Sequence, residues 1–191
     1  MSATYSAKND TFTIKDKELG LNIQEKFIAA KVPANIKKTK VLNEDIKAQV
    51  KKDKEGNLEE AYLEKDGKRH GQAVTYYPNG KIKTEVYYKD GKLHGPSYSY
   101  GEKGQIITES WFVNGKKEGQ SRYFYHDGSL YCIQRFLDGE WHDKQEFYYP
   151  NGKVKTLMNY IHGKIEGKVL IYSKSGSIER EMLYSQGHVV K

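Results

Sequence analysis

Twelve glycines of this chain fall on a fixed ruler: Gly56, Gly67, Gly80, Gly91, Gly104, Gly115, Gly128, Gly139, Gly152, Gly163, Gly176 and Gly187. The intervals alternate 11 and 13 residues without a slip, so the true period is 24 residues and runs for nearly six units. A fixed period in this range is the signature of a repeat array, in which each unit buries its surface against its neighbours. It restricts the chain to a stack of copied units and works against an irregular catalytic pocket.

Each unit reads as a β-hairpin. Seven of the twelve glycines follow Asn or Asp: Asp66, Asn79, Asp90, Asn114, Asp127, Asp138 and Asn151. Asn-Gly and Asp-Gly between β-prone runs mark hairpin turns, because both residues tolerate positive φ. The arms between turns are rich in Tyr, Ile, Val, Thr and Phe, which suit a pleated surface. The expected fold is all-β: an elongated single-layer antiparallel meander of about six 24-residue hairpins.

Aromatic and aliphatic residues keep the same beat. Tyr88, Phe112, Phe136, Tyr160 and Tyr184 form one series, with Glu64 breaking it in the first unit. Tyr76, Tyr100, Phe124, Tyr148 and Tyr172 form a second, and Leu58, Ile82, Ile106, Leu130, Val154 and Ile178 a third. Pairing Tyr76 with Ile82 requires a three-residue loop, Pro78-Asn79-Gly80, in which Pro takes the first corner of a type I turn and Gly closes it in the left-handed region. Pairing Tyr88 with Leu93 requires the two-residue loop Asp90-Gly91. Strict alternation then sends Tyr88 and Tyr100 to opposite faces, and one face holds both only if each unit contains a bulge. Gly71, Gly95, Gly119 and Gly167 recur where a bulge would fit. The fourth unit has Asp143 there, so its irregularity is expected to be weakest or differently built.

The recurring segments Asp66-Gly67-Lys68-Arg69-His70-Gly71, Asp90-Gly91-Lys92-Leu93-His94-Gly95 and His162-Gly163-Lys164-Ile165-Glu166-Gly167 alternate with Tyr76-Tyr77-Pro78-Asn79-Gly80-Lys81 and Tyr148-Tyr149-Pro150-Asn151-Gly152-Lys153. Together they resemble the MORN repeat, and more closely the MORN variant of bacterial YwqK-type proteins, which are often labelled antitoxin components. The resemblance covers residues 56–191. It implies a β-hairpin ribbon used for protein–protein contact, scaffolding or peripheral membrane attachment, without catalytic activity of its own.

Residues 1–55 are out of phase with the ruler and form the second part of the chain, a capping or partly disordered segment of short α/mixed structure. Thr11-Phe12-Thr13-Ile14 suits a strand. Ile23, Phe27, Ile28 and Ala30 have helical spacing over residues 22–31. Asn43 followed by Glu44 and Asp45 reads as the cap and acidic first turn of a short helix through about Lys51. The segment is expected to cover the first strand of the array, with a detachable arm as the other reading.

The net charge is +7, but residues 1–55 hold 12 Lys/Arg against 8 Asp/Glu, and the array only 20 against 17. The array therefore lacks the sustained basic footprint of a nucleic-acid binder, and none is expected as partner. The most basic stretch, Lys37-Lys38-Thr39-Lys40, suits a solvated, partly mobile segment, with an arm for nucleic acid or anionic membrane as the other reading. No apolar run approaches a membrane span, and Met1 to Ser6 lack a secretory pattern. Together with the single cysteine, Cys132, this fits a reducing compartment, with a cytoplasmic location expected and leaderless export leaving no mark against it.

No chemistry-bearing motif interrupts the array. His70, His94 and His142 share one place in their units, and equivalent positions even one unit apart lie about 9.6 Å apart at two strand spacings, too far to share a zinc ion. Glu85, Glu109 and Glu181 repeat likewise and read as surface or hydrogen-bonding groups. Neither a metal, a cofactor nor a catalytic residue is expected. What stands out is aromatic surface: fifteen of sixteen tyrosines lie in the array, with Trp111 and Trp141. Tyr and Trp are favoured where partners bind, and Tyr87, Trp111, Tyr123, Tyr125, Trp141 and Tyr149 are the expected contact set. The expected partner is a protein. Anionic lipid met by Lys81, Lys92, Lys116 and Lys153, and a second copy of the chain, are the other occupants.

Overall fold

The computed structural model describes residues 2–6, 11–16, 21–26 and 47–190. Strands β1 (Ser2–Ser6), β2 (Thr11–Asp16) and β3 (Leu21–Lys26) pair antiparallel in chain order. A second antiparallel sheet starts at β4 (Lys47–Lys52) and continues through β5 (Leu58–Lys65), β6 (Lys68–Tyr76), β7 (Ile82–Lys89), β8 (Lys92–Tyr100) and β9 (Ile106–Val113). Thereafter every second arm is split: β10 (Lys116–Lys117) with β11 (Gly119–Phe124), β13 (Glu140–Trp141) with β14 (Asp143–Tyr148), and β16 (Lys164–Ile165) with β17 (Gly167–Tyr172). The unsplit arms are β12 (Leu130–Leu137), β15 (Val154–Ile161) and β18 (Ile178–Ser185), and β19 (His188–Val189) closes the sheet. Strand order follows chain order throughout, as an all-β meander requires. At ~4.8 Å per strand, the thirteen strands of the unbroken path span about 60 Å.

The helices expected near the N-terminus are not what the described residues form. Strand Leu21–Lys26 occupies the start of the first, and Lys47–Lys52 the end of the second. The latter alternates Lys47, Gln49 and Lys51 with Ala48 and Val50, a two-residue beat, and its pairing with β5 satisfies the backbone that a helix would otherwise have to satisfy. Thr11 to Ile14 is strand, as expected. Pro33, the basic run from Lys37 to Lys40, and the Asn43 cap lie outside the described residues.

Two kinds of turn alternate along the ribbon. At the first, the Tyr77 carbonyl accepts from Gly80 N–H at 2.9 Å and Tyr77 N–H donates to the Lys81 carbonyl at 2.8 Å. Gly80 has φ +78°, so the loop is a type I turn closed by a left-handed glycine. Its flanking pairs are aromatic on aliphatic: Tyr76 with Ile82, Tyr100 with Ile106, Phe124 with Leu130, Tyr148 with Val154, Tyr172 with Ile178. One extra residue follows each aliphatic partner, among them Lys83, Ile107, Tyr131 and Lys155. At the second kind, Asp90 and Gly91 have φ +49° and +82°, the two positive values of a type I′ hairpin, and Tyr88 faces Leu93.

The pairing breaks where the additional glycine recurs. Val86 pairs Ser97 and Tyr88 pairs Leu93, so His94, Gly95 and Pro96 together face Tyr87 alone. The same step, with Gly71, Gly119 and Gly167 in left-handed conformation, repeats in the other units. The fourth unit is no exception, contrary to expectation: Asp143 adopts φ +58° and the strand splits there just as it does beside Gly119 and Gly167. Asp is among the few residues that enter this region, because its short polar side chain bonds locally. Each such residue sits directly opposite the rim aromatic of the next strand, in the pairs Gly71–Tyr88, Gly95–Phe112, Gly119–Phe136, Asp143–Tyr160 and Gly167–Tyr184.

The irregularity inserts two residues, an even number, so side-chain alternation survives it. The two aromatic ladders therefore stay on opposite faces of the sheet. Tyr76, Tyr98, Tyr100, Glu85, Glu109 and Trp111 share one face, here the Glu85 face; Tyr88, Phe112, Phe136, Thr84, Thr108 and Cys132 share the other, the Thr84 face. On the latter, Thr75 and Thr84 hydroxyls meet at 2.6 Å and those of Ser99 and Thr108 at 2.7 Å.

Gly71 and Gly167 separate two reasons for a glycine here. Both are left-handed, which disfavours a Cβ by about 1–2 kcal/mol. At Gly71 a Cβ would in addition meet Leu63 Cδ1 at 3.0 Å, whereas at Gly167 nothing lies within 4 Å. Gly71→Ala is expected to lower the urea unfolding midpoint more than Gly167→Ala; equal losses would show that backbone conformation alone is responsible.

Candidate partner-binding surface

The turns along each rim are tied to one another, and this decides which side chains are free to meet a partner. On the rim of two-residue turns, Gly91 N–H donates to the Arg69 carbonyl, Gly115 to Leu93, Gly139 to Lys117, Gly163 to Trp141 and Gly187 to Ile165, all at 2.7–2.9 Å. A side-chain acceptor reinforces each tie 20 residues on. His94 Nδ1 accepts from Asn114 N–H at 3.3 Å, Glu118 from Asp138 at 2.8 Å, His142 from His162 at 3.3 Å and Glu166 from Gln186 at 2.6 Å. His70 occupies the same place beside Asp90, 3.2 Å from its carboxylate. These histidines and glutamates are interchangeable because each offers one acceptor toward the next turn.

Side chains tie the opposite rim. Tyr77, Tyr125 and Tyr149 donate their hydroxyls to the carbonyls of Tyr100, Tyr148 and Tyr172, at 2.7–2.9 Å and always 23 residues on. Asn79 and Asn151 amides reach Glu102 and Lys174 carbonyls, while Lys81 and Lys153 ammoniums reach those of Lys103 and Ser175. The extra residue after each turn covers the tyrosine: Lys83 lies over Tyr77, Lys155 over Tyr149, and Tyr131 packs edge-on against Tyr125 at 5.1 Å.

The Glu85 face carries a row of carboxylates under cover. Glu85 is 3 % exposed and accepts from Gln72 Nε2 at 2.7 Å and Tyr87 hydroxyl at 3.2 Å. Glu109, equally buried, has Arg122 at 3.8 Å, and Glu146 is held by Lys144 at 2.7 Å and Arg135 at 2.9 Å. Cations offset the burial of Glu109 and Glu146, whereas Glu85 takes neutral donors on Oε1 and leaves Oε2 buried without a hydrogen-bond partner. Burial opposes the Glu146 charge, but Lys144 and Arg135 outweigh it and hold the carboxyl below its usual range. Burial, with Glu85 and Glu109 nearby, pushes the Tyr100 phenol well up. On the other face burial pushes the Cys132 thiol up to about 12 despite Lys117, so it is not a poised nucleophile.

The six residues expected to form a contact set do not lie together. Tyr87 and Trp111 are on the Glu85 face, and Trp111 is only 2 % exposed, a core ring rather than an offered one. Tyr125 and Tyr149 are rim ties. Tyr123 and Trp141 fall on the Thr84 face, opposite Cys132 and Phe136 respectively. There they join rings outside the expected contact set: Tyr131, 39 % exposed, edge-on to Phe147 at 6.0 Å, and Tyr160, edge-on to Trp141 at 4.9 Å. Tyr131 had a signal, since it stands in the extra position after the turn, 24 residues after Ile107. Its consequence emerges only from the register.

The family profile described as the MORN repeat variant matches residues 69–90 and 144–162. Both stretches enclose a Tyr-Pro-Asn-Gly-Lys turn, the two turns in which tyrosine, asparagine and lysine all tie to the next unit. No curated protein matches the chain.

Glu146 makes the array sensitive to acid. Its folded carboxyl lies below the ordinary 4.5, so its contribution to stability is present above that value and is lost as pH falls through the folded one. Glu146→Gln is expected to lower stability at pH 7 and to flatten the fall between pH 5 and lower values, followed by urea unfolding across pH. A parallel fall in both proteins would remove Glu146 from the acid response.

Proposed function

Residues 69–90 and 144–162 are MORN-variant repeats, and on that premise we propose that this chain is a non-catalytic interaction module that binds a protein partner across the Thr84 face of its central units. MORN repeats are generally protein- or lipid-binding modules. The observation that carries the protein reading is the group of rings on the Thr84 face of β11 to β15, Tyr131 exposed and Tyr123, Trp141 and Tyr160 half-buried, in which Trp141 and Tyr160 meet edge-on and Lys117 lies over Tyr123. Such rings are rigid and amphipathic, and give up little entropy on contact.

Anionic lipid is the weaker occupant. Of the four lysines that would meet it, Lys81 and Lys153 already bind carbonyls of the next turn and Lys116 binds Asp138 at 2.8 Å. A cytoplasmic setting suits a chain whose single thiol is buried. The narrower antitoxin-like form of the proposal requires that the partner be harmful when made alone.

Affinity capture from the native host is expected to recover a stoichiometric protein. Trp141→Ala is expected to weaken that complex about tenfold or more, and Lys81→Ala to leave it unchanged. Retention on anionic vesicles at moderate salt, with no protein recovered, would overturn the proposal in favour of lipid.

A further inference from the structure

Among the described units two turns of the three-residue rim send no side-chain tie to the turn that follows, the one from Asp53 to Asn57 and the one from Gly101 to Gln105, and the second interruption has a shape. The position held by Tyr77, Tyr125 and Tyr149 is Gly101 in the intervening unit. The turn itself is intact, with Gly104 N–H on the Gly101 carbonyl at 2.7 Å. What it lacks is every group that ties onward: Glu102 stands for proline, Lys103 for asparagine and Gln105 for lysine. Among the described residues no side-chain tie runs from 101–105 to the next turn, although Asn79 and Lys81 tie the preceding turn to Glu102 and Lys103.

The missing ring leaves a recess of about 650 Å³. Tyr77 and Lys83 wall one side, Ile107 and His126 lie along it, and Gly101 and Gln105 line it. The Gln105 side chain has folded into the space where a Cβ at Gly101 would be, and its Oε1 is buried with no hydrogen-bond partner. Ile107 stands in the extra position whose equivalents, Lys83, Tyr131 and Lys155, each cover a rim tyrosine. Here the cover is in place and the ring is absent. The 23-residue offset of the other ties assigns the Phe124 carbonyl as the acceptor for a hydroxyl at this position.

We propose that this recess receives a tyrosine side chain from the protein partner, which completes the rim in trans: its ring lies under Ile107 beside Tyr77, and its hydroxyl donates to the Phe124 carbonyl or to Gln105 Oε1. The proposal rests on the protein-binding reading above and names the residue type that anchors it. A phenol rather than a phenyl ring is specified because Gln105 Oε1 is buried without a donor, and an acceptor covered without one loses its water unreplaced. A protein segment rather than a free phenol is specified because the recess opens on an exposed rim, with Glu102 and Lys103 placed to meet the backbone and charges flanking the ring.

The probe is the peptide acetyl-Gly-Gly-Tyr-Gly-Gly-amide, titrated into the ¹⁵N-labelled full chain. Saturable shifts at the amides of Gly101, Gln105, Ile107 and His126 are expected, with the Phe peptide about tenfold weaker. Binding of p-cresol as tightly as the peptide would overturn the protein-segment claim, and equal binding of the Phe peptide would overturn the hydroxyl. The double variant Gly101→Tyr with Gln105→Lys restores the unit in cis. Gly101 is not left-handed, and only the mobile end of residue 105 obstructs a Cβ. This variant is expected to unfold at higher temperature and to lose the peptide shifts; retained shifts would overturn the proposal. If a captured partner binds this variant as well as the natural chain, the recess is not its anchor and the protein-binding reading stands. If the peptide binds as expected but no partner is captured, that reading falls and the tyrosine preference of the recess remains.

Discussion

The structure depends on hydrogen bonds between successive turns. A single layer of short strands has no second layer to pack against, and an isolated hairpin is marginal in water. Here successive turns from Tyr77 and Asp90 onward are tied to one another, through backbone on one rim and, except after Gly101, through tyrosine, asparagine and lysine side chains on the other. These ties fix the stacking of turns, and the stacking fixes the register of the strands between them. A buried row such as Glu85, Glu109 and Glu146 is tolerated because register brings Arg122 opposite Glu109 and places Gln72 and Arg135 diagonally within reach of Glu85 and Glu146. The repeat motif is therefore better read as a set of rim ties than as a hairpin consensus, and the two stretches that match the family profile are those with the fullest set.

Much of the fold was legible in the sequence because its strongest signals are local. A left-handed turn needs glycine, asparagine or aspartate at a particular position whatever surrounds it, so spacing alone gave both turn types and the pairs Tyr76–Ile82 and Tyr88–Leu93. Lys47 to Lys52 was harder. Its acidic, Asn-led approach suits a helix, and only an available edge on β5 turns its alternation into a strand. The irregularity at Gly95 was visible, but not that it inserts two residues. That even number decides that Tyr88 and Tyr100 face opposite ways.

The site was less legible for the same reason. A ring's exposure depends on partners 20 or more residues distant. Trp111 and Trp141 both stand in the neighbourhood of a two-residue turn, yet one is enclosed on the Glu85 face opposite Pro96, and the other lies on the opposite face against Tyr160. Tyr125 and Tyr149 look like surface aromatics until their hydroxyls are seen to close the rim. The substitution with most consequence, Gly101 for tyrosine, is a departure from a pattern whose purpose becomes apparent only once the neighbouring tyrosines are seen bonded.

The direction of the hydrogen bonds has a mechanical consequence. In an antiparallel sheet they run perpendicular to the strands, and in this meander that is the long axis of the ribbon. A pull between β4 and β19 would load them in series, one strand pair at a time, rather than shear many at once. The ribbon would then yield gradually, a hairpin at a time, beginning where the rim is least tied. Among the described units the junctions after the turn from Asp53 to Asn57 and after Gly101 lack a side-chain tie, and the second, in mid-ribbon, would act as a soft hinge and stiffen when a ring fills it.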